Sequence, residues 1–155
     1  MIIRPATPRD STSIHDLLKD IAKLHTNGRP DLFADFESKY SIPELNKMLA
    51  PEENGVFVAD ADGRVVGYVI TQIRAYDGII SHTKIKTLYV DDLCVDSSFR
   101  KMGIATALMD AAVAYGRQKD CYDLELNVWE FNSDALAFYK KYGMKTRTRH
   151  MEIIL

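Results

Sequence analysis

A chain of 155 residues with 46% hydrophobic and 27% charged side chains is long enough to bury a core and too apolar to remain disordered. Its formal net charge of -2 lacks the basic excess that a polyanion or an anionic membrane surface demands, so neither nucleic acid nor membrane is an expected partner. A local basic patch can still serve a small phosphorylated ligand.

At the N-terminus, Met1-Ile2-Ile3-Arg4-Pro5 has neither the apolar stretch nor the small-residue cleavage site of a secretory signal. Ile2 and Ile3 open a short strand that ends at Pro5. Thr7 reads as a helix N-cap, with Pro8 at the first helical position and Asp10 at the positive end of the dipole. Ile14, Leu17, Leu18, Ile21 and Leu24 then fall at helical spacing as one apolar stripe, and Asn27-Gly28-Arg29-Pro30 breaks it. Ser41-Ile42-Pro43-Glu44 is a second capping-box start, carrying Leu45, Met48 and Leu49 before Pro51 stops the helix.

Val56 to Ala59 and Val65 to Ile73 read as strands joined across Asp60-Ala61-Asp62-Gly63, because Asp-Gly supplies the backbone angles of a tight hairpin. Lys84 to Val95, rich in Leu, Tyr and Val, reads as a central strand. Gly103 to about Arg117 is helical, with Ile104, Leu108, Ala111, Ala112 and Tyr115 at core spacing. Leu124 to Trp129 is a strand, Asn132 or Ser133 caps a helix running to Tyr142, and Gly143 stops it. Met144 to Leu155 reads as a last strand. The order β-α-α-β-β-β-α-β-α-β predicts an α/β chain: a mixed sheet with helices on both faces. With no repeat or linker visible, residues 1–155 are expected to form one domain. No apolar run reaches the roughly 20 residues that a bilayer requires. Cys94 and Cys121 are too few for a disulfide framework or a zinc site, so the expectation is a cytoplasmic protein without a metal.

The most informative stretch runs from Val90-Asp91-Asp92-Leu93-Cys94-Val95 through Arg100-Lys101-Met102-Gly103-Ile104-Ala105-Thr106. A strand ends, a polar loop follows, and a small-residue turn opens an amphipathic helix. The first helical turn has unpaired N–H groups and the positive dipole end, so it can cradle a phosphate. Gly103 and Ala105 let an anion approach the backbone, and Arg100 and Lys101 add charge. Neither the Walker pattern nor the dinucleotide fingerprint is present. On spacing alone, an ordinary strand–loop–helix connection remains equally open.

Arg100-Lys101-Met102-Gly103-Ile104-Ala105 resembles the R/Q-x-x-G-x-G/A signature of the GNAT superfamily of N-acetyltransferases, with Ala105 where Gly is commoner. The resemblance implies a GNAT-like domain whose mixed, mostly antiparallel sheet has about six to seven strands. It implies acetyl-CoA as co-substrate, its pyrophosphate on Arg100, Lys101, Met102, Gly103, Ile104, Ala105 and Thr106, and its pantetheine arm along Leu93, Cys94 and Val95. Asn132-Ser133-Asp134-Ala135-Leu136-Ala137-Phe138-Tyr139 is similar to the superfamily's N-x-x-A-x-x-F/L-Y segment, which makes Asn132 a cofactor contact and Tyr139 the acid for the departing thiolate. A phenol of pKa about 10 suits that task. From spacing alone Tyr139 reads instead as a core aromatic beside Ala135, Phe138 and Tyr142.

Attack by an amine also needs a base, and the adjacent Asp91 and Asp92 are the candidates. In a regular strand Tyr89, Asp91 and Leu93 share one face, while Asp92 and Cys94 take the other. A buried unpaired carboxylate is costly, so the pair either orients a cationic amine and relays its proton or bonds backbone and Arg at the strand's end. The run Asp91-Asp92-Leu93-Cys94-Val95, Ile3-Arg4-Pro5-Ala6-Thr7 and Trp129-x-x-Asn132 resemble diamine acetyltransferases, and the Asp-Leu-x-Val part resembles aminoglycoside enzymes. Asn127, where ribosomal-type N-terminal acetyltransferases carry Glu, points away from a peptide N-terminus. No partner is visible to activate Cys94 as a nucleophile, so it reads as a small strand residue. His25 stands where the superfamily builds its acceptor pocket, while its position read by itself suits a surface histidine better; His15, His82 and His150 carry no signal.

A small-molecule amine is therefore the expected acceptor. A protein Lys or N-terminus is the alternative, and a non-catalytic acyl-CoA sensor the reading from another class. Thr26 to Pro51 and Arg74 to Lys86 are expected to wall the acceptor site. A homodimer is implied by the resemblance alone.

Overall fold

The computed structural model describes residues 1–75 and 84–155. Along the chain run β1 (Ile2–Pro5), α1 (Ser11–Gly28), α2 (Ile42–Leu49), β2 (Val56–Ala61), β3 (Arg64–Ala75), β4 (Lys86–Val95), α3 (Ile104–Gln118), β5 (Asp123–Leu126) and α4 (Ser133–Tyr142). The sheet order is β1-β2-β3-β4-β5. Neighbours are antiparallel up to β4, and β5 lies parallel to β4. The expected mixed, mostly antiparallel sheet is present.

Each face of the sheet carries its own apolar layer. Ile14, Leu17 and Leu18 of α1 and Leu45 and Leu49 of α2 pack on Val56, Val58, Tyr68, Ile70 and Cys94. On the opposite face Ile104, Leu108, Met109 and Ala112 of α3 pack on Ala59, Val66, Val69, Leu88 and Val90, with Phe138, Tyr139 and Tyr142 of α4 at the margin. Each fully buried Leu or Ile contributes about 2 kcal/mol, which is why the helical stripes rather than local propensity fix where the helices lie.

The caps form as their residue types dictate. Ser41 and Glu44 exchange a reciprocal pair, Ser41 N–H donating to Glu44 Oε2 at 2.8 Å and Glu44 N–H to Ser41 Oγ at 3.5 Å. Ahead of α1, Pro8–Asp10 is a 3-10 turn in which Asp10 Oδ2 accepts Thr7 N–H at 2.8 Å.

At this end of the sheet the acids are neutralised. Arg4 reaches Asp10 with two nitrogens, at 2.8 and 2.9 Å, and Asp60 with Nε at 2.9 Å. Asp60 Oδ1 also accepts Gly63 N–H at 2.7 Å. Burial pushes the Asp10 carboxyl up, but Arg4 and the Thr7 N–H outweigh it and hold the group below its usual range.

Two expectations need correction. Five strands form among the described residues rather than six to seven, because Met144–Leu155 takes no strand. That tail meets β5 through the Arg147 guanidinium, paired with Asp123 and Glu125, and not through a backbone ladder. Met151, Ile153 and Ile154 are exposed; with no apolar face to bury, nothing sets a strand register there. Second, β5 ends at Leu126 instead of Trp129, and its early end opens the sheet.

Candidate active site

Pairing between β4 and β5 covers only Thr87–Val90 against Asp123–Leu126. Beyond Val90, β4 continues to Val95 bonded to β3 alone, while the chain after Leu126 leaves the sheet. Between them opens a wedge whose β4 wall is the main chain of residues 91–95. Unpaired N–H and C=O groups in such a place need partners, and an extended, amide-bearing ligand supplies them in strand-like fashion.

A bulge marks the start of the wedge. Ile70 faces Asp92 and Thr71 faces Val90, so Asp91 is one residue extra in β4. A bulge inverts the alternation of faces. Val90 and Leu93, three apart, both join the α3 layer, while Asp91 and Asp92 both turn to the α1–α2 side. The expectation that the two acids take opposite faces is therefore wrong. Regular alternation fails at the inserted residue.

The two carboxylates are treated differently. Asp91 Oδ2 accepts from Tyr40 Oη at 2.7 Å and from Lys39 Nζ at 2.8 Å, so its charge is compensated. Asp92 retains some accessible surface, yet protein surrounds its carboxyl. Burial pushes it up to about 6, the pull of Lys39 being insufficient to offset burial and the Asp91 charge. Its polar neighbour is the Tyr68 hydroxyl, buried without a partner at full hydrogen-bond distance.

Tyr139, on α4, feels the same charge. Burial first and Asp92 second hold its phenol well above the usual range, so it stays protonated throughout neutral pH. Asn132 caps α4, its Oδ1 accepting Ala135 N–H at 3.2 Å, which leaves the amide nitrogen for other contacts. Cys94 is buried, its Sγ 3.8 Å from Leu17 O, and burial lifts its thiol to about 12. It is no nucleophile at neutral pH.

The turn before α3 carries two left-handed residues, Lys101 at φ 64 and Gly103 at φ 80. A Cβ on Gly103 would meet nothing within 4 Å. Glycine is thus required by the backbone angle rather than by crowding, and the space above the turn is open. Ala107 N–H is the first amide to close on the turn, donating to Gly103 O at 3.0 Å. The amides of Ile104, Ala105 and Thr106 have no intrahelical acceptor, as at any helix start, and with the dipole they suit an anion. Ile104 is buried, so it offers only its backbone, whereas Met102 is exposed. Arg100 Nε bonds back to Val95 O at 3.3 Å, tying the turn to the wedge.

Sequence reasoning missed an aromatic wall on the α1–α2 side. His25 stacks on Phe33 at 5.0 Å, Phe33 meets Trp129 edge-on at 5.3 Å, and Trp129 stacks on Phe131 at 5.9 Å. A Cβ at Gly28 would lie 2.3 Å from the Phe131 ring, so that glycine lets α1 approach the β5–α4 loop. His25 belongs to this wall; burial and then Lys39 hold its imidazole below the usual value. Lys39 and Tyr40 lie inside the expected wall of Thr26 to Pro51 but were not singled out, because that stretch is irregular and carries no motif. The second expected wall falls partly at residues 76–83, with His82, outside the described residues. Among the described residues no three His, Cys, Asp or Glu side chains are placed to hold a metal ion.

The profile described as the Acetyltransferase (GNAT) family matches residues 15–144. An N-alpha-acetyltransferase of Sulfurisphaera tokodaii is 36% identical, over 67% of this chain and 72% of its own. An uncharacterised N-acetyltransferase of Methanocaldococcus jannaschii is 30% identical over 64% of this chain, a match that spans only 43% of that protein. The crystal structure of a mutant of the BH1408 protein from Bacillus halodurans superposes with a TM-score of 0.92 at 29% identity, covering 100% of this chain and 99% of that one. The aminoglycoside N-acetyltransferase AAC(6')-Iy in complex with CoA shares the fold, with a TM-score of 0.71 at 19% identity over 99% and 98% of the two chains.

Proposed function

From the premise that the chain belongs to the GNAT family of acetyltransferases, we propose that it transfers the acetyl group of acetyl-CoA directly to a primary amine of a small molecule. The observation that carries the reading is the bulge at Asp91, which puts two carboxylates beside the opening between β4 and β5. A cationic amine is drawn to them, and the aromatic wall of His25, Phe33 and Trp129 offers ring faces for the rest of a polyamine-like or aminoglycoside-like acceptor.

The residues divide the work by their chemistry. The main chain of Leu93, Cys94 and Val95 is suited to an amide-bearing arm, and Arg100 to Thr106 to the diphosphate, with Asn132 as a further contact. An ammonium must lose a proton before its lone pair attacks the thioester carbonyl. Asp92, lifted to about 6, is ionised at neutral pH yet a better base than an ordinary Asp. Tyr139, still protonated, can donate to sulfur as thiolate charge develops.

A peptide N-terminus is the second reading, supported by the S. tokodaii relative named N-alpha-acetyltransferase and opposed by Asn127, directly after β5, where ribosomal-type N-terminal acetyltransferases carry Glu. Free thiols at Cys94 and Cys121 support a reducing, cytoplasmic setting; a homodimer rests on the family resemblance alone.

Calorimetric titration with acetyl-CoA, followed by thiol release over polyamines, aminoglycosides, Lys peptides and free N-termini, tests the proposal. Binding heat and turnover on a small amine are expected. Tyr139→Phe is expected to keep the heat and lose about 10²-fold in turnover. Absence of heat would overturn the proposal, and heat without turnover on any amine would support an acyl-CoA sensor instead.

A further inference from the structure

Lys39 lies in the irregular connection between α1 and α2, yet it is held in place. Tyr40 Oη donates to Asp91 Oδ2 at 2.7 Å, Ser38 Oγ donates to Tyr40 O at 2.9 Å, and the Lys39 ammonium lies 5.3 Å from the centre of the Tyr40 ring. Its nitrogen is 2.8 Å from Asp91 Oδ2 and 3.5 Å from Asp91 O. Asp91 is the inserted residue of β4, directly after the last residue paired with β5. The chain's own primary amine therefore sits on the carboxylate at the mouth of the wedge, where a substrate ammonium would be drawn.

We propose that Lys39 is a self-acetylation site, its amine acting as an intramolecular acceptor in the same cleft. The inference rests on the acetyl-CoA reading above. The Lys39 ammonium gives one proton to the carboxylate pair, and its nitrogen lone pair forms the N–C bond to the thioester carbonyl carbon. The C–S bond breaks with its electron pair on sulfur, which takes up a proton to leave free CoA. The products are Nε-acetyl-Lys39, CoA and one proton. Loss of the positive charge dissolves the ion pair with Asp91, leaving the Tyr40 hydroxyl as the remaining partner and freeing that carboxylate for an external amine.

Incubation with acetyl-CoA and no acceptor, read by intact mass and peptide mapping, tests this. A single +42 Da adduct at Lys39 is expected, forming at a rate independent of protein concentration and at least about tenfold faster than adducts at exposed Lys23 or Lys140, since a positioned amine gains effective concentration. Lys39→Arg, which keeps the charge in a solvent-facing position, should fold normally and lose the adduct. A rate at Lys39 no faster than at the other lysines, or one that rises with protein concentration, would overturn self-acetylation. Calorimetry on the same sample separates the failures. Heat of acetyl-CoA binding with an unmodified Lys39 rejects this inference alone, and absence of heat rejects the acetyltransferase reading and this inference with it.

Discussion

Two bulges in one sheet treat their acids in opposite ways. Near β1 the register between β2 and β3 shifts at Ala59/Asp60, and Arg4 binds both Asp60 and Asp10. At the other end the register shifts around Asp91, where Lys39 binds Asp91 and Asp92 has no cation of its own among the described residues. Arg4 and the Gly63 and Thr7 N–H groups hold Asp10 and Asp60 below their usual range. Burial lifts Asp92 to about 6. The same backbone device thus serves architecture where the charge is matched. Where it is not matched, the sheet keeps a buried carboxylate that costs it stability.

The largest expected effect breaks the matched end. Arg4→Met leaves Asp10, only 6% exposed, without its cation, and should cost about 3 kcal/mol in urea unfolding at pH 7, the low end for an orphaned partner of a buried pair. The Asp10 contribution is present above the ordinary carboxyl pKa and is lost as pH falls through its depressed folded value, so the deficit should shrink in acid. Turnover per folded molecule should not change. A cost below about 1 kcal/mol would show that the network is ornamental.

A smaller effect of opposite sign sharpens the contrast. The Asp92 carboxyl titrates near 6 when folded and near 3.9 when unfolded. Between those values the folded state holds a proton that the unfolded state has lost, so wild-type stability falls as pH rises through the window. Two pKa units correspond to about 2.7 kcal/mol, reduced to about 2 because Asp92 is not wholly covered. Asp92→Asn should therefore stabilise the chain by about 2 kcal/mol at pH 8 and by nothing at pH 3. Equal stability of the two proteins at pH 8 would remove the contrast.

What was legible in the sequence follows from which signals are local. Caps at Thr7 and Ser41, the Asp62-Gly63 hairpin and the stripes of α1 and α3 are written in neighbouring residues, and they place the layers. The turn around Gly103 was legible for the same reason: glycine followed by a helical stripe. The bulge at Asp91 was not, because an inserted residue leaves an apolar run intact while reversing its faces. Lys39 and the wall of His25, Phe33 and Trp129 depend on connections that meet only in space. The tail misled because Ile153, Ile154 and Leu155 read as strand residues, while a strand also needs a face to bury.

The pH dependence of kcat/KM at saturating acetyl-CoA, compared between wild type and Asp92→Asn, asks most directly whether the unmatched carboxylate is the base. A wild-type profile rising through a midpoint near 6, with that limb absent and turnover reduced by about 10²-fold in the variant, is the expected result. A variant that keeps both the limb and its rate would show that Asp92 is a bystander and that the amine loses its proton elsewhere.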